Sequence, residues 1–527
     1  MEEKKGLSRR ELLKLAFAGT VSSMLPFNIY GKDNIEFKPS KGLGLIFIVG
    51  DGMPLGVTRA THEISTRVWN KKGTNLYTLM SNPRTVIGYM GTKSLSSIVT
   101  DSAPASAAWS TGSKVVNRML ACLPDGRPLK TIMELLKEKG FACGLVTTTR
   151  ITHATPAAFV SHNENRDAED EIAMDYLKFK PDVLLGGGNK HFDPSTRKDG
   201  KDLFSAFIKE GYEVVKDKIS LLSEGIVGSH KPILGIFSSS HMSYYVDRLN
   251  IQQLSRKEPT LPEMTAVALN KLSKNPKGFI LQVEAGRIDH ANHSNDAWAA
   301  IMDTFEMDLT LKTILDYMKS NPNTLVIITS DHGNSGWGIN GTGPEYMDST
   351  EALTKYAPIK ASFETMIKEI KGKSAKEIQD IFEYYTTYKI SNQEAEMITA
   401  SMQPDYMSFP GDFVYQPDAV MGKILCHSIY NKNSKGSIKK PYVLRRGNVG
   451  FTSTNHTGED QIIIAFGHKA KEFGLGRFID NTQVFHGMCR YFGIKYKNPS
   501  LNEDQARSYI KVASLEDWQN HLKLHIS

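Results

Sequence analysis

The stretch GFILQVEAGRIDHANH, Gly278 to His293, decides the fold. Its first half is a short run of branched and aromatic residues that pack well on a pleated surface, and it ends abruptly at Glu284 and a glycine. Its second half changes period. If a helix begins there, Asp289 and His293 stand at i and i+4 on one face, a spacing that lets two side chains hold one ion. A strand apolar on both faces that runs into a helix is the repeating unit of a parallel sheet covered on both sides.

The same grammar recurs along the chain. GLIFIVGDGM (44–53), SIVTDS (97–102), GLVTTTRITH (144–153), DVLLGGG (182–188), TLVIITSDH (324–332) and QIIIAFGH (461–468) are apolar runs that end in polar residues. Helical patterns lie between them, such as LKTIMELLKEKG, with Ile132, Leu135 and Leu136 on one face and Gly140 as its stop. Strands alternating with helices predict an α/β fold: a large, mostly parallel central sheet with helices on both faces. Ligands of such sheets bind outside the carboxyl ends of the strands, where this chain puts its Asp, Glu, His and Ser residues.

Residues 345–445 break the alternation. Phe363, Met366, Ile367 and Ile370 share a helix face. Ser374 with Glu377, and Ser391 with Glu394, have the capping-box spacing that opens two more helices. We expect an inserted helical cap there. It divides a catalytic core into 34–344 and 446–500, with a signal and linker over 1–33 and a tail over 501–527.

At 527 residues, 40 % hydrophobic and 23 % charged, the chain has the composition of a soluble globular protein. Its net charge of +7 includes no basic block interleaved with aromatics, so no nucleic-acid partner is expected, whereas an anionic small substrate fits. Four cysteines, Cys122, Cys143, Cys426 and Cys489, are scattered without the spacing of a zinc cluster or disulfide framework. Near the N-terminus, Ser8-Arg9-Arg10-Glu11-Leu12-Leu13-Lys14 resembles a twin-arginine export signal, with Leu12 where phenylalanine is usual. The apolar segment after it is too short for a stable membrane span, so the protein is expected to be exported to the periplasm or another extracytoplasmic space.

Taken singly, the polar strand ends are weak signals. Asp51-Gly52 reads as a turn, and His456 as an ordinary loop histidine. Together, Asp51, Glu284, Asp289 and Asp331 with His293, His332 and His456 would form a strongly self-repelling crevice unless cations neutralised it. Mixed carboxylate and imidazole ligation without cysteine points to zinc or a similar ion. Ser102, in IVTDSAPASAAWSTG (98–112), stands where an apolar run meets a helix. It lacks the flanking glycines of a Gly-x-Ser-x-Gly elbow, and a metal would activate it without a histidine base. Pro104 fits the first turn, and the helix N-terminus favours an anion. HATPAAFVSHNENR (153–166) adds His153, Thr155 and Arg166, whose guanidinium can grip two phosphoryl oxygens.

VTDSAPASAAWSTG, HATPAAFVSHNENR, VEAGRIDHANH, TSDH and NHTGED, in this order after VGDGM, resemble the alkaline phosphatase family over roughly residues 44–341 and 450–493. The resemblance implies a metal-dependent phosphomonoesterase with Ser102 as nucleophile and Arg166 as phosphate clamp. It implies one zinc on Asp289, His293 and His456, and a second on Asp51, Asp331 and His332. A magnesium would sit on Asp51, Thr155 and Glu284, with Asp101, His153 and His290 behind the ligands and a homodimer as the common assembly. Pro104 departs from the family's small residue. His153 and His290 lie at variable positions, which leaves the identity of the third ion open. A phosphodiesterase of the same superfamily is the main alternative. A sulfatase is less consistent, because Ser106 stands where its pattern requires arginine, and a non-catalytic phosphate- or metal-binding protein would need an inert Ser102.

Overall fold

The structure, a computed structural model, describes residues 35–402, 417–426, 428–429, 443–444 and 446–510. The expected export signal and all but the first ten residues of the expected tail lie outside the described residues. The ten strands of the central sheet are β1 (Leu43–Gly50), β2 (Val86–Gly91), β3 (Ala142–Arg150), β4 (Val183–Gly187), β5 (Glu213–Val215), β6 (Ile233–Ile236), β7 (Gly278–Ala285), β8 (Thr324–Thr329), β9 (Gln461–Gly467) and β10 (Phe478–Asp480). They are ordered β10-β2-β9-β8-β1-β7-β3-β4-β6-β5. Every adjacent pair is parallel except those made by β9, which runs antiparallel to both β8 and β2. GFILQVEA pairs with β1 on one side and β3 on the other, with Glu284 opposite Val49 and Thr147.

The alternation of strand side chains builds two cores, one on each face. Ile46 and Ile48 of β1 join Leu281 and Val283 of β7 in one. Leu45, Phe47 and Val49 join Ile280 in the other. Every residue of β1 after Leu43 and every residue of β7 is buried, which is why these strands read as continuous apolar runs.

One expected strand does not form. Ile98–Thr100 is a chain of bends outside the sheet, and Ile98 is 80 % exposed. β-branched residues suit a strand, but the Thr100 carbonyl is taken by the His456 ring instead of a sheet ladder. Ser102 therefore opens its helix from a loop.

Among the described residues of the segment expected to be a cap are the helices Phe363–Ile370, Ala375–Thr386 and Asn392–Ser401, with one short antiparallel pair, Ser428–Ile429 and Val443–Leu444. Ser374–Glu377 and Ser391–Glu394 both close as capping boxes. An antiparallel strand pair, Gly338–Ile339 with Val449–Gly450, brackets this region. Cys122, Cys143 and Cys489 are buried free thiols. Among the described residues, no helix is long and apolar enough to cross a membrane.

Candidate metal centre

The carboxyl ends of β1, β7 and β8 lie side by side in the sheet, so three strand-end motifs are delivered to one crevice. Asp51 follows β1. Asp289 and His293 lie on α1 (Arg287–His293), which follows β7 after a single glycine. Asp331 and His332 follow β8. His456 comes from a two-residue strand, His456–Thr457, paired antiparallel with Gly333–Asn334. Gly52 makes the close approach possible: its φ is +53°, and a Cβ there would lie 2.1 Å from Asp289 Oδ1.

Three groups of possible ligand atoms result, each with its members within 4.8 Å of one another. They are Asp289, His293 and His456; Asp51, Asp331 and His332; and Asp51, His153 and Glu284. The third set contains His153, which the sequence reading put behind the ligands. Thr155, expected as a ligand, lies against the same Asp51, with Oγ1 3.4 Å from Oδ2.

The three histidines of the first two groups share one device. His293 Nδ1 lies 2.5 Å from the Thr454 carbonyl, His332 Nδ1 3.1 Å from that of Gly333, and His456 Nδ1 3.0 Å from that of Thr100. A carbonyl only accepts, so each Nδ1 carries the proton and each Nε2 faces the crevice. There His293 Nε2 and His456 Nε2 stand 3.1 Å apart, a spacing that a shared proton or a metal ion bound by both nitrogens would satisfy.

The electrostatics agree. Burial, followed by the charges of Asp331, Asp289 and Glu284, raises Asp51 well above the ordinary carboxyl range. Burial opposes ionisation of Asp289, yet His293, His456 and His332 hold it well below that range. Burial likewise lowers His332, but Asp331 and Asp289 outweigh it and lift the ring to about 9. Burial and neighbouring His332 push His456 down to about 3. Asp51 Oδ1 and Glu284 Oε1, both fully buried, have no hydrogen-bond partner among the described residues. An unpaired buried carboxylate oxygen is costly, and cations on this donor set relieve both it and the crowding of four carboxylates. Oxygen and imidazole donors without thiolate fit zinc at the first two groups. The oxygen-rich surroundings of Glu284 fit magnesium, and His153 suits zinc equally well.

Ser102 opens α2 (Ser102–Thr111), all ten residues of which are buried. The Ala/Ser composition now has a reason. Small side chains let this helix sit close to residues 154–158, and Ser106 and Ser110 donate to the Thr155 and Ala158 carbonyls at 2.7 and 2.5 Å. Asp101 caps the helix, accepting from the Ala103 amide at 2.8 Å. It also accepts from the Arg118 amide at 2.6 Å and from Arg166 Nη1 at 2.9 Å. Burial disfavours its charge, but Arg166 and the two amides hold the carboxyl below its usual range. Arg166, 2 % exposed, donates a second bond from Nη2 to His153 Nε2 at 2.9 Å. Ser102 Oγ stands 3.3 Å from His332 Nε2.

Sequence reasoning missed two supports. Thr147 and Thr149, at i and i+2 on β3, both donate to Glu284 Oε2, at 2.5 and 3.2 Å. Two hydroxyls on one face of an apolar strand were a legible signal. His241 was not legible: a lone histidine after three serines, it lies half-buried with its ring centroid 4.2 Å from that of His290 and 5.6 Å from that of His153. His290 accepts from Arg287 Nη1 at 2.9 Å, and its buried Nε2 has no hydrogen-bond partner among the described residues.

A family model described as alkaline phosphatase matches residues 43–494. Alkaline phosphatase 4 of Bacillus subtilis (strain 168) is 32 % identical over 449 residues, covering 83 % of this chain and 86 % of the relative. Alkaline phosphatase 3 of the same organism is 32 % identical over 489 residues, covering 91 % and 95 %. The crystal structure of the Thermus thermophilus alkaline phosphatase superposes with a TM-score of 0.79 at 35 % identity, covering 91 % of this chain and 98 % of that one.

Proposed function

The chain belongs to the alkaline phosphatase family and is a phosphomonoesterase, and we propose that it works through a phosphoserine at Ser102 beside two zinc ions and one magnesium. The single observation that supports this reading most is the convergence of acidic and imidazole groups from β1, α1, the end of β8 and the His456 strand around one serine hydroxyl.

In this reading Asp289, His293 and His456 hold one zinc, Asp51, Asp331 and His332 the second, and Asp51, Thr155 and Glu284 the magnesium. Bound there, the ions neutralise the carboxylates, make the Ser102 hydroxyl acidic enough to react near neutral pH, and offset the charge on the leaving oxygen. The chain's own residues do the rest. Arg166, held in one plane by Asp101 and His153, turns its remaining N–H groups to two non-bridging phosphoryl oxygens. At the start of α2 Asp101 takes the Ala103 and Ala105 amides and Pro104 has none, so the Ser102 amide faces the same anion. Ser102 Oγ attacks phosphorus in line; the Oγ–P bond forms as the ester P–O bond breaks and the alcohol departs. Water then attacks the phosphoserine, the Oγ–P bond breaks, and inorganic phosphate leaves. Contacts are made to the phosphoryl group, so selectivity for the alcohol is loose.

The division into a split core and a helical cap over 345–445, and export through a twin-arginine signal, belong to this proposal. The test is a parallel assay on an aryl phosphate monoester, a phosphate diester and a sulfate ester, with and without chelator. Chelator-sensitive turnover of the monoester, far above the others, is expected. Faster turnover of the diester or sulfate rejects the reading, as does monoester turnover that survives metal stripping.

A further inference from the structure

The edge of the sheet opposite the metal centre carries a charge that the phosphatase reaction does not use. The parallel strands β1, β3, β7 and β8 begin there and the antiparallel β9 ends there. α3 (Thr482–Tyr491) descends to the same edge, where Tyr491 Oη donates to the Gly44 and Asn323 carbonyls at 2.9 and 3.0 Å. Phe492 packs edge-on against Phe141, with centroids 5.1 Å apart. Lys277 Nζ donates to the Lys139 carbonyl at 2.7 Å, which ties the turns before β7 and β3 together. These contacts gather the exposed cations Lys139, Lys277, Lys471, Arg490, Lys495 and Lys497 onto one face. Among the described residues none of the six pairs with a carboxylate; of the acids at this edge Glu138, Asp182 and Asp316 are held by other lysines, while Glu36 and Glu472 are exposed, so the cations outnumber the uncompensated acids by six to two. Between Arg490 and Lys497 the surface forms an open hollow of about 550 Å³ rather than a groove.

We propose that this face docks on an anionic lipid bilayer and holds the phosphatase site turned away from it. Three features favour a bilayer. The cations are spread over turns from several elements, as a broad charged surface requires. The described chain also begins at this edge, with Ser40 N donating to Asn321 Oδ1 at 2.7 Å and the Phe37 ring edge-on to Tyr317. Only residues 28–34 separate Ile35 from the apolar stretch that ends at Phe27. Finally, the eight-residue β1 places the metal centre roughly 25 Å above the face, clear of the headgroups. Attraction of this kind acts within about 10 Å at moderate ionic strength and fades with salt.

The test is co-sedimentation of the full metal-loaded chain with vesicles of phosphatidylcholine alone or with about one third phosphatidylglycerol. At least about tenfold stronger partition onto the anionic vesicles is expected, and high salt should abolish it. Lys277→Glu/Lys495→Glu/Lys497→Glu should lose about tenfold or more of that partition while hydrolysing a soluble aryl phosphate normally. Lys198→Glu/Lys371→Glu/Lys373→Glu, with the same change in net charge on exposed positions elsewhere, should retain it. Equal partition onto both vesicle types overturns the assignment, and so does equal loss in the two triple variants.

Discussion

In the proposed mechanism Ser102 and Arg166 divide the chemistry at the scale of single residues, and each role has its own signature. Ser102→Ala leaves every acidic and imidazole group in the crevice untouched. We expect kcat for an aryl phosphate to fall by about a thousandfold or more while bound zinc, measured by atomic absorption, stays at the wild-type level. Near-normal turnover would remove Ser102 from the mechanism. Arg166→Lys keeps the charge but loses the planar fork that Asp101 and His153 hold from behind. A point charge cannot bond both neighbours and two phosphoryl oxygens. The expected loss in kcat/KM is about 10- to 100-fold, or about 1.4–2.8 kcal/mol, with weaker inhibition by inorganic phosphate. A loss confined to thermal stability would instead make Arg166 only a strut for Asp101.

The helix Phe363–Ile370 of the cap region is fastened to the core by carboxylates, and that joint sets a pH dependence at the scale of elements. Asp247 accepts from the Ser362 amide at 2.8 Å and from its hydroxyl at 2.6 Å, and Asp296 accepts from the Phe363 amide at 2.7 Å and the Ala299 amide at 3.0 Å. Burial outweighs these bonds and raises Asp247 to about 6 and Asp296 to about 7. Both folded values lie above the unfolded one. The folded state therefore binds the extra proton, and the stability it confers is full below about pH 4 and lost as pH rises to about 7. Asp296→Asn removes one titration. Chemical denaturation of wild type and variant at several pH values should show their stability difference changing by roughly 2–4 kcal/mol across that window, wild type losing ground as pH rises. A pH-independent difference would mean that Asp296 does not titrate there. The sequence announced this helix through the face shared by Phe363, Met366, Ile367 and Ile370, because such spacing is local. It could not announce Asp247 and Asp296 as its anchors, since those contacts join residues 115 and 67 positions apart. The direction of β9 was hidden for a related reason: QIIIAFG is apolar whichever way it runs. The Ile98–Thr100 run misled because β-branched residues also tolerate an extended loop, and only the distant His456 ring decides the use of the Thr100 carbonyl.

For the whole molecule, the consequence of the proposed metal centre is that its holders would span the chain from Asp51 to His456, joining both halves of the proposed core across the inserted helices. Ions that bind only the folded arrangement stabilise it by mass action, each by about 2.7 kcal/mol when its free concentration is a hundred times its dissociation constant. Stripping them also leaves Asp51, Asp289, Asp331 and Glu284 to repel one another, the repulsion already visible in the raised Asp51. Exhaustive chelation should therefore abolish turnover and lower the Tm by at least several degrees in the same preparation. The loss of Tm should be larger at pH 8 than at pH 6, because protons then compete less with the ions for the imidazole and carboxylate donors. Zinc with magnesium should restore both properties, and Ser102→Ala should recover its Tm without its activity. Scanning calorimetry of stripped and reloaded protein at the two pH values decides it: an unchanged Tm after complete removal of metal would mean that the crevice is built without ions, and the ligand assignments would fall with that result.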